Sequence, residues 1–334
     1  MKPDEGHNLT EKELAKLERR IASVYGEAAK ELQETVDNYF RQFEKRDAEM
    51  KELIGTVVNG KEWTERDYKQ WRLNQIGRGE RFKALQNRVA KRYTKANQTA
   101  VSYVNDATPG IYSLNRNYAA YTIESVAGDV GFDLWDEQTV KRLIKDDPDL
   151  MPYYPAKRAL NRGIDLAYGK RQISACVTSS ILQGKSIKGM ADDLQTRIPT
   201  MHRTSAIRTA RTAVTGAQNA GRMDSYVAAE KMGIKLKKSW LATIDGRTRH
   251  EHALLDGQTV DTDKPFKVDG YELMFPGDPS GPAHLTYNCR CTVIAAVEGV
   301  DTSNGLRRDR YGILPDMTFA QWEKSKRGEG YLQK

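Results

Sequence analysis

Lys237-Lys238-Ser239-Trp240-Leu241-Ala242-Thr243-Ile244 is the stretch on which the fold turns. A basic lead-in runs into aromatic and β-branched residues, so it reads as a strand, and Thr292-Val293-Ile294-Ala295-Ala296-Val297 reads as a second. Between them the chain is rich in Gly, Pro and Asp, which points to turns rather than long elements. Residues 236–300 are therefore expected to form a small, loop-rich α+β module.

Upstream, the pattern is helical. Thr10 and Glu13 suggest a capping box, and Leu14, Leu17, Ile21, Val24, Ala28, Leu32, Val36, Tyr39 and Phe43 make one apolar stripe to about Leu53. Such a stripe needs a partner helix, in this chain or another. Val58-Asn59-Gly60 breaks it, Thr64 with Asp67 starts a second helix, and Gly77 and Gly79 form a hinge before a third, from Glu80 to about Ala100. Thr108-Pro109-Gly110 reads as a turn. Pro148, Pro152 and Pro155 exclude a long helix from a connector that carries one short helix. A helix from Leu160 to Ile181 stops near Gly184, and Ser186 caps a short one through Leu194. Pro199 then separates it from a helix over Arg203–Lys231, whose small residues Ala206, Ala210, Ala213, Ala217, Ala220 and Gly221 invite close helix packing. The expected division is an N-terminal helical region (1–124), a connector (125–156), a basic helical region (157–235), the module (236–300) and a polar tail (301–334) with an aromatic cluster at Met317, Phe319 and Trp322. The fold class is α+β with long helices ahead of the module.

The 334 residues carry 53 Lys+Arg against 45 Asp+Glu, a net charge of +8, with a mean hydropathy of −0.70. No apolar run is long enough to span a membrane, and no secretory leader is expected. Three cysteines are too few for a disulfide framework, and Cys176 reads as a core residue. The surplus charge is local: residues 61–105 hold eleven Lys+Arg against four Asp+Glu, and 157–235 fourteen against five. Arg78, Arg81, Arg88, Lys91, Arg92, Arg203, Arg208 and Arg211 are the candidate phosphate contacts, with Trp63, Tyr68, Trp71 and Tyr93 interleaved. The plainer reading is a solvated helix face with its aromatics turned inward.

Chemistry concentrates in the module. His250 and His252 form an H-x-H, and Cys289 and Cys291 a C-x-C, four donors suited to zinc. In a strand each pair would share one face. The expected cofactor is either none or one structural zinc, since the alternative is a hydrogen-bonded His252 beside two packed thiols. A thiol hydrolase would use Cys289 or Cys291 with His252 and Asp245, and a metal nuclease would use His250, His252 and Asp245. No Walker loop, H-E-x-x-H or dinucleotide fingerprint is present.

Trp240, Asp245, Arg247, Arg249, His252, Gly257, Pro276, Asp278, Asn288, Cys289, Arg290 and Cys291 follow one another in an ordered series of short motifs. This series resembles the phage Mu F-like head morphogenesis family, the minor head or minor capsid proteins of tailed phages. The helix around Arg208-Thr209-Ala210-Arg211-Thr212-Ala213 is similar to a family helix in which an acid stands where Ala213 does. His250 lies outside the family pattern, so the resemblance favours His252, Cys289 and Cys291, with Asp245 as a fourth, as the ligand set. The tail Leu314-Pro315-Asp316-Met317-Thr318-Phe319 with Trp322 also looks like a minor capsid ending. The resemblance implies a non-enzymatic role in procapsid and head assembly, portal binding, scaffold or major capsid contacts, and sequence-independent contact with packaged double-stranded DNA. It implies a place inside the virion head near the portal, after assembly in the host cytoplasm. Some relatives carry a toxin or enzyme domain beyond the module, and the residues after Val300 are expected to be too few for one.

Overall fold

The computed structural model describes residues 4–151, 166–297, 307–309, 312–314 and 317–328. Helices α1 (Glu5–Arg41) and α2 (Glu44–Glu52) lead to a hairpin of β1 (Val57–Val58) and β2 (Lys61–Glu62). Helices α3 (Glu65–Gln75), α4 (Gly79–Ala127), α5 (Glu137–Asp146), α6 (Leu166–Leu182) and α7 (Ile187–Lys231) follow. Then come β3 (Leu236–Leu241), α8 (His250–Leu255), β4 (Thr259–Asp261), β5 (Phe266–Val268), β6 (Tyr271–Leu273), α9 (Ala283–Thr286) and β7 (Thr292–Val297). A hairpin of β8 (Arg307–Asp309) and β9 (Gly312–Leu314) precedes α10 (Phe319–Lys326). The fold is α+β and dominated by helix.

The chain divides into two compact units that interleave along the sequence. The first comprises Met1–Leu17, Val104–Lys157 and Arg208–Lys334, and the second Glu18–Tyr103 and Arg158–Ile207.

In the second unit the apolar stripe of α1 finds its partner within the chain. Tyr25 stacks on Tyr93 of α4 at 6.4 Å between ring centroids and hydrogen-bonds Asn97. Tyr39 donates its hydroxyl to the Ile76 carbonyl at 2.5 Å and meets the Phe82 ring at 6.3 Å. Asn59 and Gly60 have φ of +50° and +77°, the left-handed pair that a two-residue hairpin turn demands. Thr64 and Asp67 cap α3 reciprocally. Arg72 of α3 holds Asp47 of α2 through two hydrogen bonds, at 2.7 and 3.0 Å.

Three boundary expectations give way. Thr10 does not start α1: the helix begins at Glu5, and the Thr10 hydroxyl donates to the Gly6 carbonyl at 2.8 Å inside it. Pro109 lies within α4 and Pro199 within α7, where a turn and a separator were expected. An internal proline costs about 3 kcal/mol through one lost bond. Burial of Val104, Thr108, Ile111 and Tyr112 around Pro109, and of Leu194, Ile198 and His202 around Pro199, outweighs it. The start of the expected 160–181 helix lies outside the described residues, which resume at Leu166.

In the first unit, β3 is the centre of an antiparallel sheet ordered β4-β3-β7, with Trp240 opposite Val293 and Ser239 opposite Thr259. Leu236, Lys238 and Trp240 face inward. Lys238 buries its stem and donates Nζ to the Met274 carbonyl at 2.8 Å, and burial lowers its pKa to about 8. A shared core joins α4, α7, the sheet and α10: Tyr118 and Tyr121 pack against Phe319 and Trp322, and the Trp322 indole donates to Glu124 at 2.6 Å. The aromatic cluster expected in the tail thus contributes two buried rings, Phe319 and Trp322. Gly221 of α7 lies so close to α4 that a Cβ there would sit 2.4 Å from the Tyr112 carbonyl oxygen. That contact is the close approach that the small residues of α7 permit.

Candidate functional site

The loop after β3 is set by one carboxylate. Asp245 accepts from the Arg247 amide at 2.8 Å, its own amide donates to the Thr248 hydroxyl at 2.9 Å, and both carboxylate oxygens receive Arg290, each at 2.6 Å. The Arg290 guanidinium, ahead of the local amide, holds the Asp245 carboxyl well below the usual carboxylate range. The loop delivers the chain to α8, whose N-terminal flank is Arg249, and Arg249 reaches across to the Tyr287 carbonyl at 2.5 Å.

Because α8 is a helix, His250 and His252 do not share a face. Residues at positions i and i+2 of a helix are about 200° apart around its axis. His252 is buried and His250 exposed. The expectation of a strand-like H-x-H is therefore corrected, and His250 stands outside the cluster.

Cys289 and Cys291 lie in the extended segment before β7, and their alternation turns both sulfurs inward while Arg290 turns out to Asp245. Asn288, at φ +56°, supplies the bend after α9 and donates its amide to Thr212 Oγ1 at 2.9 Å. Thr215 of α7 donates to the Cys289 carbonyl at 2.7 Å. His252 Nδ1 then lies 3.8 Å from Cys289 Sγ and 3.3 Å from Cys291 Sγ, and the three donor atoms lie within 4.8 Å of one another. All three residues are 2–3% exposed.

On its other edge His252 Nε2 is 2.9 Å from the Leu285 carbonyl oxygen. A carbonyl only accepts, so Nε2 carries the proton and Nδ1 presents its lone pair to the sulfurs. The Cys291 amide donates to Cys289 Sγ at 3.3 Å, and the Trp240 ring meets His252 edge-on at 5.9 Å. The thiols influence each other. The Cys289 hydrogen bond, ahead of the opposing effect of burial, lowers Cys291, while the adjoining Cys291 sulfur and burial raise Cys289 well above the ordinary thiol range. A polar cavity of about 80 Å³ abuts the cluster, lined by Arg211, Thr248, Arg249 and Asn288 among others.

The remaining motif residues are framework. Gly257, at φ +75°, donates its amide to the Trp240 carbonyl at 2.8 Å. Asp278 is buried and accepts from the Met274 amide at 2.6 Å and from Ser280, folding the Pro276–Pro279 loop. Arg247 is exposed beside Asp245, 3.7 Å away. Ala213 is buried.

Residues 171–294 match the family described as Phage Mu protein F like protein. The match spans less than half of the chain, and over that stretch the chain is similar to the Mu F-like family. Minor head protein GP7 of Bacillus phage SPP1 is 26% identical over 242 residues, covering 69% of this chain and 74% of that protein. NAD(+)--arginine ADP-ribosyltransferase EFV of Enterococcus faecalis (strain ATCC 700802 / V583) is 36% identical over 133 residues. Those residues are 40% of this chain, which spans 26% of that enzyme's length. No solved structure matches the chain.

Of the five candidate ligands, the fold gathers His252, Cys289 and Cys291. It leaves out Asp245, whose two oxygens are taken by Arg290, and the exposed His250. Among the candidate phosphate contacts, Arg78, Arg81, Arg88, Lys91 and Arg203 are exposed in the second unit, where Arg92 pairs with Glu31 at 2.5 Å. In the first unit Arg208 is exposed and Arg211 lines the cavity beside the sulfurs.

Two buried polar groups escaped the sequence reading. Asn219 of α7 donates to the Pro276 carbonyl at 2.9 Å and accepts the Val293 amide at 2.9 Å. Arg222, one turn on, is gripped by Asp4 through two 2.8 Å hydrogen bonds. The only sequence signal was a polar residue set among the small residues of a helix face meant for burial.

Proposed function

We propose that the chain is a non-enzymatic minor head protein that acts in procapsid and head assembly, docks on the portal and lies against packaged DNA. The observation that carries this reading is the likeness to a minor head protein across 74% of that protein's length. On this reading the protein belongs to the virion, in the head interior near the portal, and is assembled there from the host cytoplasm with scaffold or major capsid protein as further neighbours. Among the described residues, no helix is long and apolar enough to cross a membrane.

The geometry of the cluster supports a structural part for it. A thiol hydrolase needs an orienting carboxylate on its histidine and an open cleft at its sulfur. Here the Leu285 carbonyl occupies the second nitrogen of His252, and Asp245 is committed to Arg290. A metal nuclease built on His250, His252 and Asp245 would need donors that the helix of α8 turns apart. The adjoining cavity of about 80 Å³ has room for a few waters rather than a nucleotide. ADP-ribosyl transfer is the activity named for the longer relative, and the shared stretch is a minor part of that protein.

Contact with DNA rests on the exposed cations Arg78, Arg81, Arg88, Lys91 and Arg203. Their phosphate contacts would be independent of sequence and weakened by salt. The test of the assembly role is co-expression of tagged full-length chain with the portal protein of the same phage. Portal recovered on the tagged chain supports the reading. Its absence, with both proteins soluble and abundant, contradicts it.

A further inference from the structure

We propose that His252 Nδ1 and the sulfurs of Cys289 and Cys291 hold one zinc ion, whose fourth position is taken by a water in the arginine-lined cavity. This assignment is independent of the head-assembly role and concerns what pins the Mu F-like module together.

Distances come first. With Zn–S of about 2.3 Å and Zn–N of about 2.0 Å at tetrahedral angles, a bound nitrogen and sulfur lie roughly 3.5 Å apart and two sulfurs roughly 3.8 Å apart. The observed N···S separations are 3.3 and 3.8 Å, and all three donors lie within 4.8 Å of one another. An ion can therefore be accepted by small side-chain rotations, with the backbone left in place.

The surroundings are those a metal centre needs. A ligating imidazole commonly donates its second N–H to a carbonyl, which fixes its tautomer. His252 does this with Leu285 at 2.9 Å, leaving Nδ1 bare toward the sulfurs. The Cys291 amide donates to Cys289 Sγ at 3.3 Å, a bond that steadies a metal-bound thiolate. The Trp240 indole is buried beside the cluster, its ring 5.9 Å from that of His252, and a thiolate held by a metal there would serve its N–H as acceptor. Two thiolates and one imidazole are a donor set for zinc rather than for calcium or magnesium.

The fourth ligand is not a side chain, because Asp245 is held by Arg290 and His250 is exposed. The position opens instead on the cavity beside Arg211 and Arg249. The site also sits against a core shared with α4, α7 and α10, so zinc is expected to tighten the module rather than to decide whether it folds.

The test uses the full chain, expressed with zinc supplied and purified under reducing conditions without chelator. Elemental analysis is expected to find close to one zinc per chain, and cobalt(II) exchanged into it to give sulfur-to-cobalt charge-transfer bands with intense tetrahedral d–d bands. Cys289→Ser and Cys291→Ser are each expected to lose the metal, whereas His250→Ala keeps it. Three outcomes would overturn the assignment. One is protein that stays free of zinc after reconstitution. Another is a cobalt spectrum with no sulfur transitions, read on the unaltered chain and so immune to a misfolded variant. The third is zinc retained undiminished when both cysteines are replaced.

Discussion

Asn219 accepts the Val293 amide at 2.9 Å through Oδ1 while its Nδ2 donates to the Pro276 carbonyl at 2.9 Å. One amide on α7 thus ties down both the closing strand β7 and the Pro276–Pro279 loop, and it is fully buried.

Replacing Asn219 by Ala leaves the Val293 N–H and the Pro276 C=O buried without their partner. Each such group costs roughly 1–3 kcal/mol, so a loss of about 2–6 kcal/mol is expected. Urea unfolding of the variant against the parent measures it. A change below about 0.5 kcal/mol, the size of an ordinary surface substitution, would mean that this amide does not join helix to module.

Gly221→Ala ordinarily improves a helix by up to about 1 kcal/mol. Here the new Cβ would meet the Tyr112 carbonyl oxygen at 2.4 Å. Overpacking against backbone should reverse the sign and destabilise by about 1–3 kcal/mol. Thermal unfolding checks it: a raised melting temperature would show that α4 and α7 do not approach this closely.

Asp4 and Arg222 form a buried pair through two 2.8 Å hydrogen bonds. Burial pushes the Asp4 carboxyl up, but the Arg222 hydrogen bond and charge outweigh it, and its pKa falls below the ordinary value. A depressed carboxylate stabilises the fold above the unfolded pKa and loses that contribution as pH drops below about 4. Asp4→Ala removes the partner of a buried guanidinium at a cost of about 3–5 kcal/mol. Denaturant titrations of parent and variant at neutral pH and near pH 3 should converge at the lower pH. Equal gaps at both would count against the pairing.

His202 is stacked on Tyr93 at 5.0 Å and lies 3.3 Å from the Asn97 amide nitrogen, with burial lowering its pKa to about 4. The folded form therefore resists protonation where the unfolded chain, near 6.5, accepts it. Stability is whole above about pH 6.5 and declines as pH falls toward about 4, by roughly 3 kcal/mol at most. His202→Gln should flatten that slope. An unchanged slope in the variant would assign the acid sensitivity to other groups.

Where an element depends on its neighbours in sequence, it was legible there. The Thr64–Asp67 cap, the Asn59-Gly60 turn, the stripe of α1 and the strand Thr292–Val297 are all local patterns, and the structure contains each. What failed depended on distant partners. Pro109 and Pro199 stay helical because buried side chains around them outweigh one lost bond. The helix α1 starts ahead of Thr10, where Asp4 is fixed by a residue more than two hundred positions away. His250 and His252 were read with strand periodicity, whereas the Asp245 turn launches a helix and rotates them apart. Residue type offered His250, His252, Cys289 and Cys291 together, and it was the resemblance that set His250 aside, as the gathered cluster does. The commitment of Asp245 to Arg290 was not readable, because an ion pair uses up a carboxylate that composition leaves available.

Triple replacement of Arg78, Arg81 and Arg88 by Ala addresses the proposed DNA contact. Each lost phosphate contact should reduce the slope of log binding constant against log salt by about 1. Filter binding to duplex DNA over a salt series reads the slope. A parent chain with no affinity at low ionic strength, or a variant with an unaltered slope, would exclude this face.

Quantitative mass spectrometry of purified heads from cells producing the phage tests the head role most directly. The account predicts the chain in the particles, at far fewer copies than the major capsid protein and retained through density-gradient purification. Complete absence from procapsids and mature heads, with the chain abundant in the lysate that yielded them, would contradict it.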